Sequence, residues 1–380
     1  MKITYINIKS FRNLKNVEFS VDGNTTFSGK NHLGKTNVLN ACYWCLTGTD
    51  LYNSSKNELN VPNDLKNSEI EQGTLLVDVE LTLETGKVRR TLNFNKGTYQ
   101  ETIYIDGYPT ETLKDGEIAI DKKLGIIGLT IANYGKFELR RFLLNPLYAL
   151  QVTESELRQF YIGQFDNESS RSLALSTLKP VIKDLIQSLY DNNNGSVSGM
   201  SKSNADEIKS TKKDLVDTKL IRTYLNTLEF DGVEQEKQNV DSDIVSVSSK
   251  LQKLTSIKSA IDMYAASLGL IIEEEFQKVM PELQLKLFEH NYTDTVIKEC
   301  CKPIIRRTGL PLQMGSTSEK ILKTLGMVFF FEKQAGVNLP VFIDEGETLD
   351  LATFKSLSVI PNQFFISIVK DTDEIVKEEF

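Results

Sequence analysis

Residues Gly29-Lys30-Asn31-His32-Leu33-Gly34-Lys35-Thr36 match the pattern G-x-x-x-x-G-K-[ST] at every fixed position. Few eight-residue stretches limit the fold of a chain so strongly. Glycines let the backbone curl until successive N–H groups face one point, and a following helix adds its positive amino-terminal end, so the pair forms an anion cradle. The cradle belongs between a strand and a helix, and both flanks are present. Thr25–Ser28 reads as a strand, and Lys35–Thr47 reads as a helix with Val38, Leu39, Cys42 and Leu46 on one face. In that setting Lys35 reaches the β- and γ-phosphates of a nucleotide and Thr36 offers its hydroxyl to Mg2+. Gly29, Lys30, Asn31, His32, Leu33, Gly34 and Asn37 complete the loop around the phosphates.

The second strong feature lies near the other end. Leu339-Pro340-Val341-Phe342-Ile343 is an apolar run closing in Asp344-Glu345. A near-continuous apolar strand suits a parallel sheet covered on both faces, and its carboxyl end is the ligand edge of such a sheet. Asp344 is there to hold Mg2+, and Glu345 to orient or deprotonate an attacking water, which makes the expected protein a hydrolase.

Between these motifs the chain changes character. Strands are expected at Lys2–Lys9 and Val17–Val21, with a turn at Asp22-Gly23. A polar surface loop spans 52–72. An antiparallel meander follows, with strands Thr74–Glu84, Lys87–Phe94 and Glu101–Ile105 and turns at Thr85-Gly86, Lys96-Gly97 and Asp106-Gly107. Helix formers dominate from Ser169 to Leu268, with breaks at 191–204 and at Asp231-Gly232. Val240, Ile244, Val247, Leu251, Leu254, Ile257 and Ile261 recur near a period of 3.5, as in a short helical hairpin or coiled coil. The end returns to mixed character: helix Ile272–Glu289, strand-like Thr295–Glu299 and Ile304–Arg307, helix Ser318–Gln334, and strands Pro340–Ile343 and Gln363–Val369. Three parts result: an amino-terminal lobe over 1–165, a helical insertion over 166–270 and a carboxyl-terminal lobe over 271–380.

Composition narrows the classes. The chain has 380 residues and a net charge of −8, which argues against a uniformly basic nucleic-acid coat but allows a local basic strip. Lys87/Arg89/Arg90, Arg140/Arg141 and Arg306/Arg307 are the candidates. No stretch reaches the length of a membrane helix, and the amino terminus reads as a strand and not a signal peptide, so a cytoplasmic protein is expected (host cytoplasm if phage-encoded). Cys42 and Cys45 form a CxxC, but in a helix and without a second CxxC; structural cysteines are the expectation over metal or redox use.

About 300 residues separate the loop from the acidic strand, with helices between them. This split head resembles the SMC/RecF/SbcC-type ABC ATPases. ITYINIKSFRNLKNVEF resembles the first strands of that family, including Arg12 near the nucleotide; GKNHLGKTNVLNACYWCLTG resembles its phosphate loop and helix; VFIDEGETLD resembles its Walker B and D-loop, with Asp350 in the D-loop position. Gly315-Ser316-Thr317-Ser318-Glu319 stands where the signature motif belongs. By resemblance, Ser316 and Ser318 face the ATP held by a second copy; read alone, the segment is also a helix cap with a capping box. Two departures stand out. No histidine occupies the family's switch position, where Val369 lies, and the Q-loop contact to Mg2+ falls to Gln151, with Gln159 and Gln164 behind it.

The resemblance implies an α/β ABC-type head built from both chain ends with an inserted helical hairpin. It further implies ATP and Mg2+ as cofactors and an ATP-dependent homodimer acting on double-stranded DNA in recombination or repair, with a nuclease as a candidate partner. An alternative is an ABC-type switch that gates a toxin or nuclease effector in a defence system without touching DNA. A small-molecule kinase is disfavoured by the remote acidic strand.

Overall fold

The computed structural model describes residues 1–52, 74–95, 98–126, 139–154, 156–157, 168–176, 180–192, 197–228, 232–290 and 297–380. Its chain divides into two compact units. The first comprises Met1–Phe160, Val279–Gln284 and Lys302–Phe380; the second comprises Tyr161–Lys278 and Leu285–Cys301.

In the first unit, alternation at the amino terminus buries Ile3, Ile6 and Ile8 along β1 (Ile3–Phe11). β2 (Leu14–Ser20) returns beside it, and β3 (Thr25–Gly29) is buried along its whole length. Helix α1 is Lys35–Thr47. The meander follows as β4 (Thr74–Leu83), β5 (Gly86–Asn95), β6 (Thr98–Ile105) and β7 (Tyr108–Pro109). With β1 and β2 it forms a six-stranded antiparallel sheet, β2-β1-β4-β5-β6-β7. Helices α2 (Leu113–Leu124) and α3 (Leu139–Leu144) come next. The expected loop at 52–72 lies outside the described residues beyond Tyr52, as does the Lys96-Gly97 turn.

The expectation of one apolar face on α1 is too modest. Ala41, Tyr43, Trp44 and Cys45 are buried as well as Val38, Leu39, Cys42 and Leu46. The helix packs against β1, β4 and β5 on one side and, on the other, against β3 and the strands Val341–Ile343 and Phe364–Val369, so it is a central layer between two sheets. Both its cysteines are enclosed. Burial pushes the Cys45 thiol up to about 12 and raises that of Cys42, and Cys45 Sγ lies 3.4 Å from the Val79 carbonyl. These are structural thiols.

Within the second unit the segment Tyr161–Lys278 is helical over its described residues: α4 (Glu168–Ser176), α5 (Pro180–Asn192), α6 (Val197–Leu225) and α7 (Val233–Val279). Residues 197–204, expected to break the helix, are the first two turns of α6; the low-complexity composition is helical here because α7 runs alongside. Arg222 meets Asp241 at 2.7 Å, Glu207 meets Lys250 at 3.1 Å, and the Asn204 amide reaches the Leu254 carbonyl at 3.3 Å. Those pairings ascend on one helix as they descend on the other, so α6 and α7 are antiparallel. Leu254 and Ile261 of the 3.5-residue stripe are buried, and the other stripe positions are half-buried. Gly232, with φ +95°, makes the turn before α7.

After α7 the expected helix Ile272–Glu289 is cut short. Pro281 cannot continue it, and Leu283, Leu285 and Leu287 alternate inward, giving strand β8 (Leu283–His290). The two strand-like segments expected next are one strand, β9 (Ile297–Ile305), which turns at Gly309 into β10 (Leu310–Pro311). Thr295 lies outside the described residues. Helix α8 (Thr317–Ala335), strand β11 (Val341–Ile343), helix α9 (Leu351–Leu357) and strands β12 (Phe364–Val369) and β13 (Val376–Glu379) complete the chain. β13 was not expected.

The second sheet of the first unit has the order β11-β12-β3-β13, with the first three parallel and β13 antiparallel. Thus β3 and β11, from opposite chain ends, are brought to one edge by β12 between them. Their loops both leave the carboxyl side of the sheet.

Candidate functional site

Gly34 caps α1 with φ +106°, and a Cβ there would stand 2.9 Å from Asn13 Nδ2. Only glycine meets both demands. His32 also holds a left-handed conformation, φ +69°. The curled loop and the first turn of α1 line a cleft of about 540 Å3 with Asn31, His32, Gly34, Lys35, Thr36 and Asn37. Lys35 is buried and its Nζ donates to the Lys30 carbonyl at 2.7 Å.

The opposite wall is the end of β11. Asp344 follows Ile343, and Glu345 takes φ +60°, ψ 39°, a region that costs a non-glycine residue about 1–3 kcal/mol. The next residue shows why the chain turns so sharply. A Cβ on Gly346 would lie 2.1 Å from Ile366 Cγ2 and 2.8 Å from the Ser367 carbonyl, so the backbone presses directly onto β12. Asp344, Glu345 and Glu347 line the cleft, with Ser367 and Val369 from β12.

Asp344 joins the two walls. Its Oδ1 accepts from Thr36 Oγ1 at 3.0 Å and from the Ser367 hydroxyl, and its Oδ2 accepts from the Tyr52 hydroxyl. Partial burial, and next the hydrogen bond to Asp344, push the Tyr52 hydroxyl well above the usual phenol range.

Several expected residues act at one remove. Lys30 points away from the cleft, pairing with Asp373 at 2.6 Å and Asp371 at 3.3 Å, while its N–H donates to the Thr372 carbonyl. Neither Gly29 nor Leu33 lines the cleft. Arg12 donates to Asn37 Oδ1 at 3.1 Å and to the buried Asp50 at 2.9 Å. Gln151 donates to the Leu51 carbonyl at 2.7 Å and does not reach Asp344. Gln159 and Gln164 lie outside the described residues.

Ser316 is the N-cap of α8. Its Oγ accepts the Glu319 N–H at 3.3 Å, and Glu319 accepts the Ser316 N–H at 3.2 Å, a complete capping box. Ser318 Oγ lies 3.2 Å from Ser316 Oγ. Neither serine lines the cleft of its own chain. Asp350 caps α9 by accepting the Thr353 N–H at 2.7 Å, which lowers its carboxyl below the usual range.

Sequence reasoning missed Asn13, Tyr52, Glu347 and Ser367. Asn13 follows Arg12 directly and was open to notice; its Oδ1 accepts from Asn37 at 2.6 Å. Ser367 and Tyr52 carry no local signal, since only the β11–β12 pairing and the path of 48–52 bring them to Asp344.

The basic residues singled out on the meander are paired off. Lys87 meets Glu80 at 3.0 Å, and Arg89 holds Asp78 through two hydrogen bonds of 2.7 Å. Arg90 is 1% exposed and bonds Glu101, Glu117 and the Cys45 carbonyl. Arg140 also binds Glu117, and Arg307 meets Glu319 at 2.9 Å.

The donor set around Thr36 consists of hard oxygens. No cluster of three or more His, Cys, Asp or Glu residues suited to a metal occurs among the described residues. The hard oxygen donors of Thr36 and Asp344 suit Mg2+, which is held by one or two carboxylates together with substrate phosphates and water.

A family model described as an AAA domain matches residues 2–287. No curated protein matches the chain. Among solved structures, the chain is similar to the Smc head domain of Pyrococcus furiosus, solved with an extended coiled coil bound to the C-terminal domain of ScpA. That likeness has 15% identity over 99% of this chain and 96% of the other, with a TM-score of 0.41. It is also similar to the recombination mediator protein RecF-ATP of the RecFOR pathway, with 14% identity, coverage of 99% and 95%, and a TM-score of 0.44. The Smc head of Pyrococcus yayanosii, with a coiled coil and joint, gives 14% identity, coverage of 99% and 96%, and a TM-score of 0.39.

Proposed function

Given that this chain belongs to the AAA domain family, we propose that it binds ATP with Mg2+ in the cleft between α1 and β11 and hydrolyses it. One observation carries the reading: the Thr36 hydroxyl and the Asp344 carboxylate meet at 3.0 Å at the mouth of the phosphate loop. Lys35 exchanges its bond to the Lys30 carbonyl for the β- and γ-phosphates. Thr36 and Asp344 would hold Mg2+, which when bound would neutralise phosphate charge. Glu345, held at the strand end by the packed Gly346, orients the attacking water and takes its proton.

Val369 lines the cleft where resembling heads place a switch histidine, and its side chain carries no proton acceptor. Proton transfer therefore falls to Glu345 and water; by resemblance, the missing histidine implies either slow turnover or a different γ-phosphate sensor.

The reading extends to an ATP-dependent head-to-head dimer in the cytoplasm. Ser316 caps α8 and Ser318 stands beside it in the first turn, neither facing its own cleft, which leaves them for a partner copy's nucleotide. The dimer acts on double-stranded DNA in recombination or repair, with a nuclease as partner. A second reading, a switch that gates an effector without DNA contact, is favoured by one observation: Arg89 and Arg90 are spent on Asp78, Glu101 and Glu117. Among the described residues, no helix is long and apolar enough to cross a membrane.

ATP turnover by the purified protein, measured with and without Mg2+ and with the Glu345→Gln variant, tests the reading. Turnover that needs Mg2+ and collapses in the variant is expected. Turnover that survives Glu345→Gln unchanged would overturn the assignment.

A further inference from the structure

Arg12 and Gln151 converge on one short segment, Asp50-Leu51-Tyr52, and not on the cleft itself. Asp50 is 2% exposed. Its Oδ2 takes Arg12 Nη2 at 2.9 Å, and its Oδ1 takes the Tyr52 N–H at 3.1 Å. Leu51 is held from both sides: its N–H donates to Asn40 Oδ1 at 3.0 Å, and its carbonyl accepts Asn145 Nδ2 at 2.9 Å and Gln151 Nε2 at 2.7 Å. These five hydrogen bonds fix the backbone that carries the next side chain.

That side chain is Tyr52, 53% exposed, with its hydroxyl on Asp344 Oδ2. Packing does not require an exposed phenol there, and water could serve its hydroxyl. Its effect falls on Asp344. The terminal torsion of an aspartate is broad, and donors on Oδ1 alone leave the carboxylate free to swing. Thr36 and Ser367 hold Oδ1; a third donor on Oδ2, from a different segment, fixes the plane.

We infer that Tyr52 is a positioning residue of the ATP site, orienting the Asp344 carboxylate, and that Arg12 and Gln151 act on the site through it. The inference rests on the ATPase reading above. A site preorganised by its supporting groups reacts faster without binding its substrate more tightly. Loss of the hydroxyl therefore lowers turnover and weakens the response to Mg2+, and leaves both ATP affinity and folding alone.

The test is Tyr52→Phe, which keeps the ring. Turnover at saturating ATP is expected to fall about tenfold, the usual size for one hydrogen bond to a charged group. KM for ATP should stay within about twofold, the signature of an interaction made in the transition state, and the melting temperature should match wild type. The Mg2+ concentration for half-maximal turnover should rise. Titrating Mg2+ against binding of a fluorescent N-methylanthraniloyl-ATP gives a readout without turnover: the Mg2+ concentration at which binding tightens should be higher in the variant, with the same affinity at saturating Mg2+. Gln151→Ala should show the same pattern more weakly. Equal turnover and equal Mg2+ response in Tyr52→Phe and an active wild type would overturn the Tyr52 assignment alone, as would a lower Mg2+ requirement in the variant. A wild type that binds no nucleotide would overturn the ATPase reading and this inference together.

Discussion

Thr36 and Asp344 stand 308 residues apart in the chain and 3.0 Å apart in space. Neither position is arbitrary. Thr36 is the second residue of α1, and Asp344 is the first beyond β11, so one lies where its helix begins and the other where its strand ends, both at the carboxyl edge of the sheet. The hydrogen bond depends on β12, which pairs in parallel with both β3 and β11 and sets them two strand spacings apart. A change anywhere in that register moves one oxygen away from the other.

Lys35→Ala removes the one buried cation of the loop. Its ammonium is held by the Lys30 carbonyl at 2.7 Å, so its loss costs the fold about one hydrogen bond, roughly 1 kcal/mol. ATP binding, measured by calorimetry, should disappear while the circular dichroism spectrum is unchanged. Normal affinity in this variant would rule out the phosphate-loop assignment.

Glu345→Gln should bind ATP, turn it over very slowly and accumulate as a dimer seen by light scattering. Removing the group that positions water raises the barrier and spares ground-state contacts. Ser316→Arg should dissolve that dimer. Because Ser316 also caps α8, its loss alone costs about 1 kcal/mol, so Ser316→Ala serves as the control. A Glu345→Gln protein that stays monomeric with ATP would sink the two-headed cycle.

Glu332 sets a pH dependence of stability. It is 2% exposed, accepts the Leu339 N–H at 2.8 Å and the Asn362 amide at 2.7 Å, and burial raises its carboxyl to about 7. A carboxyl with a raised folded-state pKa favours the fold while protonated. The contribution is therefore complete below the ordinary carboxylate range and is lost as pH climbs towards and through 7, at most about 3 kcal/mol at 1.36 kcal/mol per pKa unit. Melting temperature should fall from pH 5 to 8, and Glu332→Gln should flatten that slope. An equal slope in both proteins would show that Glu332 is not its source.

The curled glycine loop, α1 and β11 were legible because each carries a local pattern: fixed glycines, 3.6-residue periodicity, an apolar run ending in two acids. What was illegible is tertiary. The full burial of α1 could not be read from Tyr43 and Trp44, which look like an outer face until a second sheet covers them. β8 was mistaken for helix because its leucines continue an apolar run; Pro281 was the overlooked signal. β13 is polar, Val376-Lys377-Glu378-Glu379, and becomes a strand only through pairing with β3. Tyr52 and Ser367 reach Asp344 through long-range pairing alone. The same limit misled the reading of the meander arginines, since sequence shows a cluster of charge and not the carboxylates across the strand.

Arg90 is the clearest case and gives the last prediction. Its guanidinium is enclosed by Glu101, by Glu117 at 2.8 Å and by the Cys45 carbonyl at 2.9 Å, and it lies 5.8 Å from the centre of the Trp44 ring. Removing one member of a buried ion network strands the others, which costs about 3–5 kcal/mol. Arg90→Ala should therefore lower stability in urea by that order, because Glu101, itself nearly enclosed, loses its ion pair with Arg90. Arg89 is a useful contrast. It is 30% exposed and pairs with the buried Asp78, which Lys9 also approaches at 3.8 Å. Arg89→Ala leaves Asp78 a second cation and should cost less. If these residues instead served DNA phosphates, both substitutions would weaken DNA binding, flatten its salt dependence by roughly 0.9 in log–log slope per lost contact, and leave stability untouched. Urea melts and salt-dependent DNA titrations on the two variants separate the cases. A stable Arg90→Ala protein with a reduced salt slope would return this hairpin to the DNA face.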